Sequence, residues 1–406
     1  MKDAVLKNLI KAEEKRQSKT LDLIPSENII SKGVSEALGS VLANKYSEGY
    51  PGKRYYAGNE FTDKIENLAK SRAKKVFGLS NNWEVNVQPY SGSPANMAVY
   101  LALVPVGGKI MGMRLDMGGH LTHGHKASAV GKLWKQIPYG VDKKNETLDY
   151  DKISKIAKKE KPQLIVAGFT AYSRIIDFKK FRKICDSIDA IFMVDMSHFA
   201  GLVAGKVYPS PFKYADVVTT TTHKTLRGPR GAMIFSKYEF SEKIDKSVFP
   251  GMQGGPHMNQ IAATTAALYE AGAPEFKAYA KQIVKNAKTL AEEMKKLGWR
   301  VISGGTDTHL ILIDVHSRGI GGKLASEMLE KAGIIANKNT IPYDKQSPVN
   351  PSGIRLGTPA LTSRGMKEKE MKQIAGLIDK ALTKKEKLET IKKEVELLCR
   401  KFPVKR

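Results

Sequence analysis

From about residue 60 to residue 240 the chain alternates short apolar runs with longer stretches that repeat apolar residues every three or four positions. The runs are Glu84–Gln88, Lys109–Met113, Leu164–Gly168, Ile191–Asp195, Asp216–Thr220 and Ala232–Ser236. Each is short and bounded by turn formers, so each reads as a strand. Phe61, Ile65, Leu68, Ala69, Arg72 and Val76 fall at helical spacing, with Thr62 as the expected N-cap and Gly78 as the terminator. An apolar helix follows Ser91–Asn96 and runs to about Leu103. This alternation predicts a mostly parallel sheet covered by helices. Gly251–Pro256 is too glycine-rich for either element and reads as a loop. A helical pattern from about Asn259 to Leu297 leads to a second strand set at Arg300–Ser303, His309–Val315 and around Ile354. Leu388, Ile391, Val395 and Leu398 share one face of a last helix, and Lys401–Arg406 reads as a loose basic tail. The expected division is an N-terminal arm and helix over 1–40, a large domain over 41–272 and a small C-terminal α/β domain over 273–406.

Composition narrows the class. The 406 residues are 41% hydrophobic, enough for a sizeable core, and 27% charged. Sixty-seven basic against 41 acidic residues leave a formal charge of +26. Such an excess attracts anions, yet it equally solvates a surface, and no RNA-binding motif accompanies it. Nucleic acid is therefore not an expected partner. Cys185 and Cys399 form neither a disulfide framework nor a zinc site and fit a reducing cytoplasm. Lys2, Asp3 and Lys7 precede no apolar stretch of signal-peptide type, and no apolar run reaches membrane-spanning length. A cytoplasmic protein without a membrane partner is expected.

The chemistry concentrates around Lys224. It closes the run Thr219–Thr222 and His223, and Thr225-Leu226-Arg227-Gly228-Pro229-Arg230-Gly231 follows. Threonines stiffen an extended backbone and Gly-Pro forces a turn, so Lys224 is expected at a strand end. A lysine held there can form an imine with an aldehyde. Asp195 ends the apolar run Ile191–Val194, where acids face the crevice of an open α/β sheet. Ser91-Gly92-Ser93 lies between a strand and a helix start, where backbone N–H groups and hydroxyls can hold a phosphate. His120, His123 and His125 stand close together, but the carboxylate and cysteine ligands typical of a metal site are missing nearby, and no metal is expected. A glycine-flanked His120 lying flat on a ring is the better reading. A lysine for an imine, a carboxylate for a pyridine nitrogen, a phosphate cradle and a ring-stacking group are what pyridoxal 5'-phosphate requires.

Taken with Pro25–Asn28, Asn44–Tyr56, Gly118–Gly124, Asp195–His198, Phe249–Pro256 and Gly353–Ala360, these segments resemble the serine hydroxymethyltransferase family from about Leu23 to the 370s. The resemblance implies an α/β fold of the aspartate-aminotransferase type, the fold type I of pyridoxal-phosphate enzymes, with a seven-stranded mostly parallel sheet. It implies reversible conversion of L-serine and tetrahydrofolate to glycine and 5,10-methylenetetrahydrofolate. A folate-independent aldolase of β-hydroxy amino acids such as threonine, or the same reaction on a modified pterin, are the alternatives. By resemblance, Lys224 carries the cofactor, Asp195 pairs with its ring nitrogen and His120 stacks on it. Thr170 and His198 lie near its phenolic oxygen and Thr221 also contacts it. Ser91, Gly92 and Ser93 bind its phosphate, as do Tyr46 and Gly255 of the neighbouring subunit. Arg355 clamps the substrate carboxylate with help from Ser26 and Tyr56. Glu48 is the acid–base group, Arg230 organises the site beside Lys224, and Gly119, Leu121 and Asn339 contact the pterin. Shared residues imply a homodimer or a tetramer built from it. The chain departs from the common pattern at Met117, Tyr90, Ser197, Ala57 and Thr170, and Met117 and Tyr90 are expected to border the ring or pterin region.

Overall fold

The computed structural model describes residues 2–404. The chain folds into two compact units, one of residues 30–281 and one joining residues 1–29 to 282–406. The first 29 residues thus group with the C-terminal unit, and the breaks fall at 29/30 and 281/282 beside the expected 40/41 and 272/273.

The unit of residues 30–281 is built on a seven-stranded sheet. Its strands are β1 (Trp83–Asn86), β2 (Lys109–Met113), β3 (Lys135–Tyr139), β4 (Leu164–Gly168), β5 (Ile191–Asp195), β6 (Val217–Thr221) and β7 (Ala232–Lys237). They lie in the order β1-β7-β6-β5-β4-β2-β3, and β7 alone runs against its two neighbours. The remaining pairs are parallel, with Gly168 opposite Asp195 and Asp195 opposite Thr219. Because β1 and β7, then β7 and β6, are each antiparallel, β1 points the same way as the parallel set. The C-terminal ends of β1, β2, β4, β5 and β6 therefore share one edge, where open α/β sheets bind ligands.

Three expectations need correction here. Strand β3 was not foreseen, because Lys135, Gln136 and Pro138 dilute its apolar pattern; it survives as an edge strand, where a missing N–H costs least. The helix Glu60–Phe77 starts at Asn59 rather than Thr62, whose hydroxyl instead turns back onto Asn59; Gly78 does end it, in the left-handed region. Ser247–Met252 is a wide helical turn broken at Phe249, so the glycine-rich loop proper begins at Gln253.

The other unit has a four-stranded antiparallel sheet. Its strands are β8 (Arg300–Val301), β9 (Leu310–Asp314), β10 (Asn337–Asn339) and β11 (Gly353–Gly357), in the order β8-β9-β11-β10. Ser303 takes a left-handed turn conformation, which stops β8 short of the expected Ser303. Ile311, Ile313, Ile354 and Leu356 pack with Ile374, Ile378, Ile391 and Val395 into one apolar core. Lys401 closes the helix Leu388–Lys401, Phe402 packs against that core and its carbonyl accepts from Arg364 Nε at 2.6 Å, so the tail is anchored to that point. Lys405 and Arg406 lie outside the described residues. No helix among the described residues is long and apolar enough to cross a membrane.

Candidate active site

Lys224 leaves the end of β6 through Thr222 and His223, and its Nζ donates to Thr221 Oγ1 at 2.8 Å. The turn after it is fixed by Gly228 N–H to the Thr222 carbonyl at 2.7 Å and by the Thr222 hydroxyl to the Pro229 carbonyl. Thr225 Oγ1 ties the same turn to the His198 carbonyl at 2.9 Å. The threonine run therefore does more than stiffen a strand: its hydroxyls anchor the lysine turn. Arg230, exposed, stands with Nη1 3.5 Å from His223 Nε2. Burial, then the charges of Lys224 and Arg230, push His223 down to about 3, so it is neutral at physiological pH.

Asp195, at the end of the adjacent β5, is 7% exposed and is held by three donors. Asn96 Nδ2 donates to Oδ2 at 2.8 Å, His123 Nε2 lies 3.3 Å from the same oxygen, and Ser197 N–H donates to Oδ1 at 3.0 Å. Burial acts to raise its pKa, but the hydrogen bond and charge of His123, the charge of His120 and the Ser197 bond outweigh it, and the carboxyl is held well below the usual range. The proton positions follow from the donors. His120 N–H points at His123 Nδ1 at 3.2 Å, so that nitrogen accepts and Nε2 carries the proton toward Asp195. Asn96 also donates to Thr122 Oγ1 at 2.9 Å, which leaves the Thr122 hydroxyl proton for His120 Nδ1 at 2.7 Å. His120 is thereby fixed as the Nε2–H tautomer, and burial first, then His123, lower it to about 4. His123, Asn96 and Thr122 were not singled out for these roles. The signal for His123 was present in the Gly-His-Leu-Thr-His-Gly spacing, but the carboxylate that gives it a purpose lies 72 residues away. Among the described residues no group of three His, Cys, Asp or Glu side chains is placed to hold a metal ion.

The rest of this cluster follows from close backbone approaches. The helix Gly92–Leu103 opens at Gly92, where a Cβ would stand 2.7 Å from Thr221 Cγ2, and the Ser91 hydroxyl does not cap it. Ser197 Oγ accepts from Thr221 N–H at 3.0 Å, linking the strand of the lysine to the loop of the aspartate. Gly119 has no room for a side chain, since a Cβ would lie 2.1 Å from the Met113 carbonyl. Thr170 donates to the Gly119 carbonyl at 2.5 Å, and so clasps the turn that delivers His120. His198 is buried and Leu121 is 43% exposed. Met117 is buried, with its sulfur against Gly140.

A second group forms around the hairpin of Gly49–Tyr50 and Lys53–Arg54. Arg54 is almost fully buried and its guanidinium donates to the carbonyls of Ser47 and Gly49, at 2.8 and 2.7 Å, on either side of Glu48. The same group pairs with Asp63 at 2.8 Å and with buried Glu66 at 2.6 Å. Glu48 is half-buried and accepts from the Tyr46 hydroxyl at 3.3 Å; its charge raises the Tyr46 pKa. Tyr46 meets Tyr56 edge-on at 5.1 Å, and its ring lies against Gly255. In the other unit, Arg355 on β11 pairs in register with Asn337 of β10, and its Nε donates to Asn337 Oδ1 at 3.1 Å. Asn339 pairs with Gly353 two positions along. Burial lowers Arg355 to about 10, which leaves it charged at neutral pH. The segment carrying Ser26 crosses the same strand, since a Cβ on Gly357 would stand 2.5 Å from Pro25 Cα.

An amine and an ionised buried carboxylate at adjacent strand ends, beside a helix start with no side chain in the way, fit the aldehyde, ring nitrogen and phosphate of one cofactor. The class this defines is the fold type I pyridoxal-phosphate enzyme. The family model described as serine hydroxymethyltransferase matches residues 1–378, and the chain belongs to that family. It is a pyridoxal-phosphate-dependent glycine hydroxymethyltransferase, an enzyme of serine–glycine one-carbon metabolism whose reaction takes tetrahydrofolate.

Proposed function

We propose that this chain converts L-serine and tetrahydrofolate to glycine and 5,10-methylenetetrahydrofolate in sites shared between two copies, in the cytoplasm. The observation that carries the reading is the placement of Lys224 in the turn just past β6 and of Asp195 at the end of the adjacent β5, with Asp195 kept ionised by His123. When bound, pyridoxal phosphate supplies an electron sink for charge left at the substrate α-carbon. Asp195 would keep a proton on its ring nitrogen, Lys224 Nζ would hold its aldehyde carbon, and His120 would lie on its face. Thr170, His198 and Thr221 would border the ring. Ser91, Gly92 and Ser93 would bind the phosphate, joined by Tyr46 and Gly255 of a second copy. Arg355 would pair with the amino-acid carboxylate, with Ser26 and Tyr56 beside it, and Arg230 would organise the surroundings of Lys224. Gly119, Leu121 and Asn339 would receive the pterin. Glu48 would move the proton that must leave the serine hydroxyl or the folate amine as the one-carbon unit is transferred.

Support for sharing comes from exposure: Tyr46 and Tyr56 are 57% and 49% exposed although their hairpin is rigidly held. Mixing tests it. A Lys224→Ala copy and a Glu48→Gln copy should each be inactive alone, but a hybrid would have one site with both lesions and one with neither, so activity should return on subunit exchange. Two parents that stay inactive after verified exchange would place both residues in one copy's site. Serine cleavage measured with and without tetrahydrofolate separates the carrier-dependent reaction from a folate-independent aldolase, which would cleave equally well in both.

A further inference from the structure

Tyr90 stands between β1 and the Ser91–Ser93 segment, and it ties that segment to the glycine-rich loop. Its N–H donates to Gln253 Oε1 at 3.0 Å and its hydroxyl donates to the Gly255 carbonyl at 2.8 Å. Its ring stacks on His257 at 4.2 Å with only 5° between the planes. Gln253 Nε2 returns a bond to the Gln88 carbonyl at 2.9 Å. Residues 253–257 have no helix or strand of their own, and Gly254 and Gly255 are the residues with the most backbone freedom to lose. Fixing the Gly255 carbonyl from one side, with the Tyr46 ring against the same residue, restrains the Gly255–Pro256 peptide and takes up much of that freedom.

We propose that Tyr90 is a positioning residue for the cofactor phosphate: it holds the Gly255 loop in register with the Ser91–Ser93 cup. The proposal rests on the reading of Ser91, Ser93 and Gly255 as phosphate contacts. In a dimer with shared sites, Tyr90 joins the cup serving one cofactor to the loop serving the other. The ligand it acts on is a phosphate monoester, and its effect on the pyridoxal ring itself is nil.

The test compares two probes on the full-length protein stripped of cofactor: pyridoxal phosphate and phosphate-free pyridoxal, each titrated by absorbance. Tyr90→Phe keeps the ring and deletes the bond to Gly255. Loss of one such bond should weaken pyridoxal phosphate about threefold to tenfold and leave pyridoxal unchanged. Equal weakening of both probes, or of neither, overturns the proposal, since a purely structural role does not distinguish them. Ser93→Ala runs in parallel. If it too fails to discriminate the probes, the phosphate reading itself falls; if it discriminates and Tyr90→Phe does not, the tether alone falls. Should Tyr90→Phe not fold, His257→Ala, which keeps the hydroxyl but removes the stacked ring, is read by the same two titrations.

Discussion

The Lys224–Asp195 region and the Tyr46–Tyr56 region solve opposite problems. Around Asp195 the groups are buried and the donors are assigned: Asn96, His123 and Ser197 all direct theirs at one carboxylate. An ionised carboxylate out of water survives only with such a shell. Around Glu48 the anchoring is in the backbone instead. Arg54 bolts down the carbonyls on either side, while Tyr46, Tyr55 and Tyr56 project outward, Tyr55 at 75% exposure. A rigid backbone that presents aromatic rings to solvent is suited to a surface completed by something else. One region is self-sufficient within a single chain, and the other touches its own chain at Glu48, Phe249 and Gly255 while leaving much of its ring surface in solvent.

The largest expected effect falls on the self-sufficient region. Lys224→Ala should abolish covalent attachment of the cofactor, and borohydride reduction followed by peptide mapping of the unaltered protein should mark Lys224. A mark on any other lysine would dissolve the first half of the comparison. Next comes Glu48→Gln, which keeps the shape and cannot carry the proton. Turnover of serine with tetrahydrofolate should drop by at least about 10²-fold. Cofactor content should stay unchanged, because the Asp195 shell is untouched. Near-normal turnover would mean that the hairpin serves packing alone. Arg355→Ala should mainly raise the serine concentration needed for half-saturation, in line with about 2–5 kcal/mol for removing one partner of a charge pair. Half-saturation at the same serine concentration would remove Arg355 from substrate binding.

Most of the fold was legible because period and punctuation agree. Strands such as Leu164–Gly168 and Ile191–Asp195 are continuous apolar runs, and their bounds match the structure residue for residue. Edge strand β3 was not legible, since an edge needs no apolar run and tolerates Pro138. Asp195 and Lys224 could be found from their position at strand ends. The shell that makes Asp195 useful could not, because Asn96 looks like any residue of an apolar helix until the fold carries Thr219 and Asp195 to it from 123 and 99 residues away. Arg54 was hidden for a different reason. In a chain with 67 basic residues nothing in the sequence tells a buried guanidinium such as that of Arg54 from a solvated one.

The smallest expected effect concerns pH and sharpens the same contrast, because the buried region carries titrating groups whose folded and unfolded states differ. His120 and His223 are depressed by burial to about 4 and about 3 from 6.5. Between those values and 6.5 the unfolded chain binds protons that the folded chain refuses, so folding loses stability as pH falls from about 7 toward 4. Asp195, held below its unfolded value of 3.8, adds to the same trend only at the acid end of this window. Asp22, in the other unit, acts with the opposite sign. Burial, reinforced by Glu27, raises it to about 7 from 3.8, so its contribution is full in acid and is lost as pH rises through 7. Thermal melting of the cofactor-free protein across pH 4–8 should therefore show a shallow maximum. His120→Asn should flatten the acid side by on the order of 1–3 kcal/mol and leave the side above pH 7 unchanged. Asp22→Asn should do the reverse, gaining stability at pH 8 and none near pH 4. A Tyr46→Phe control in the exposed region should move neither limb. An acid limb unchanged by His120→Asn would mean that His120 is protonated as easily in the folded chain as in water, and the picture of a dry, fully assigned shell around Asp195 would fail with it.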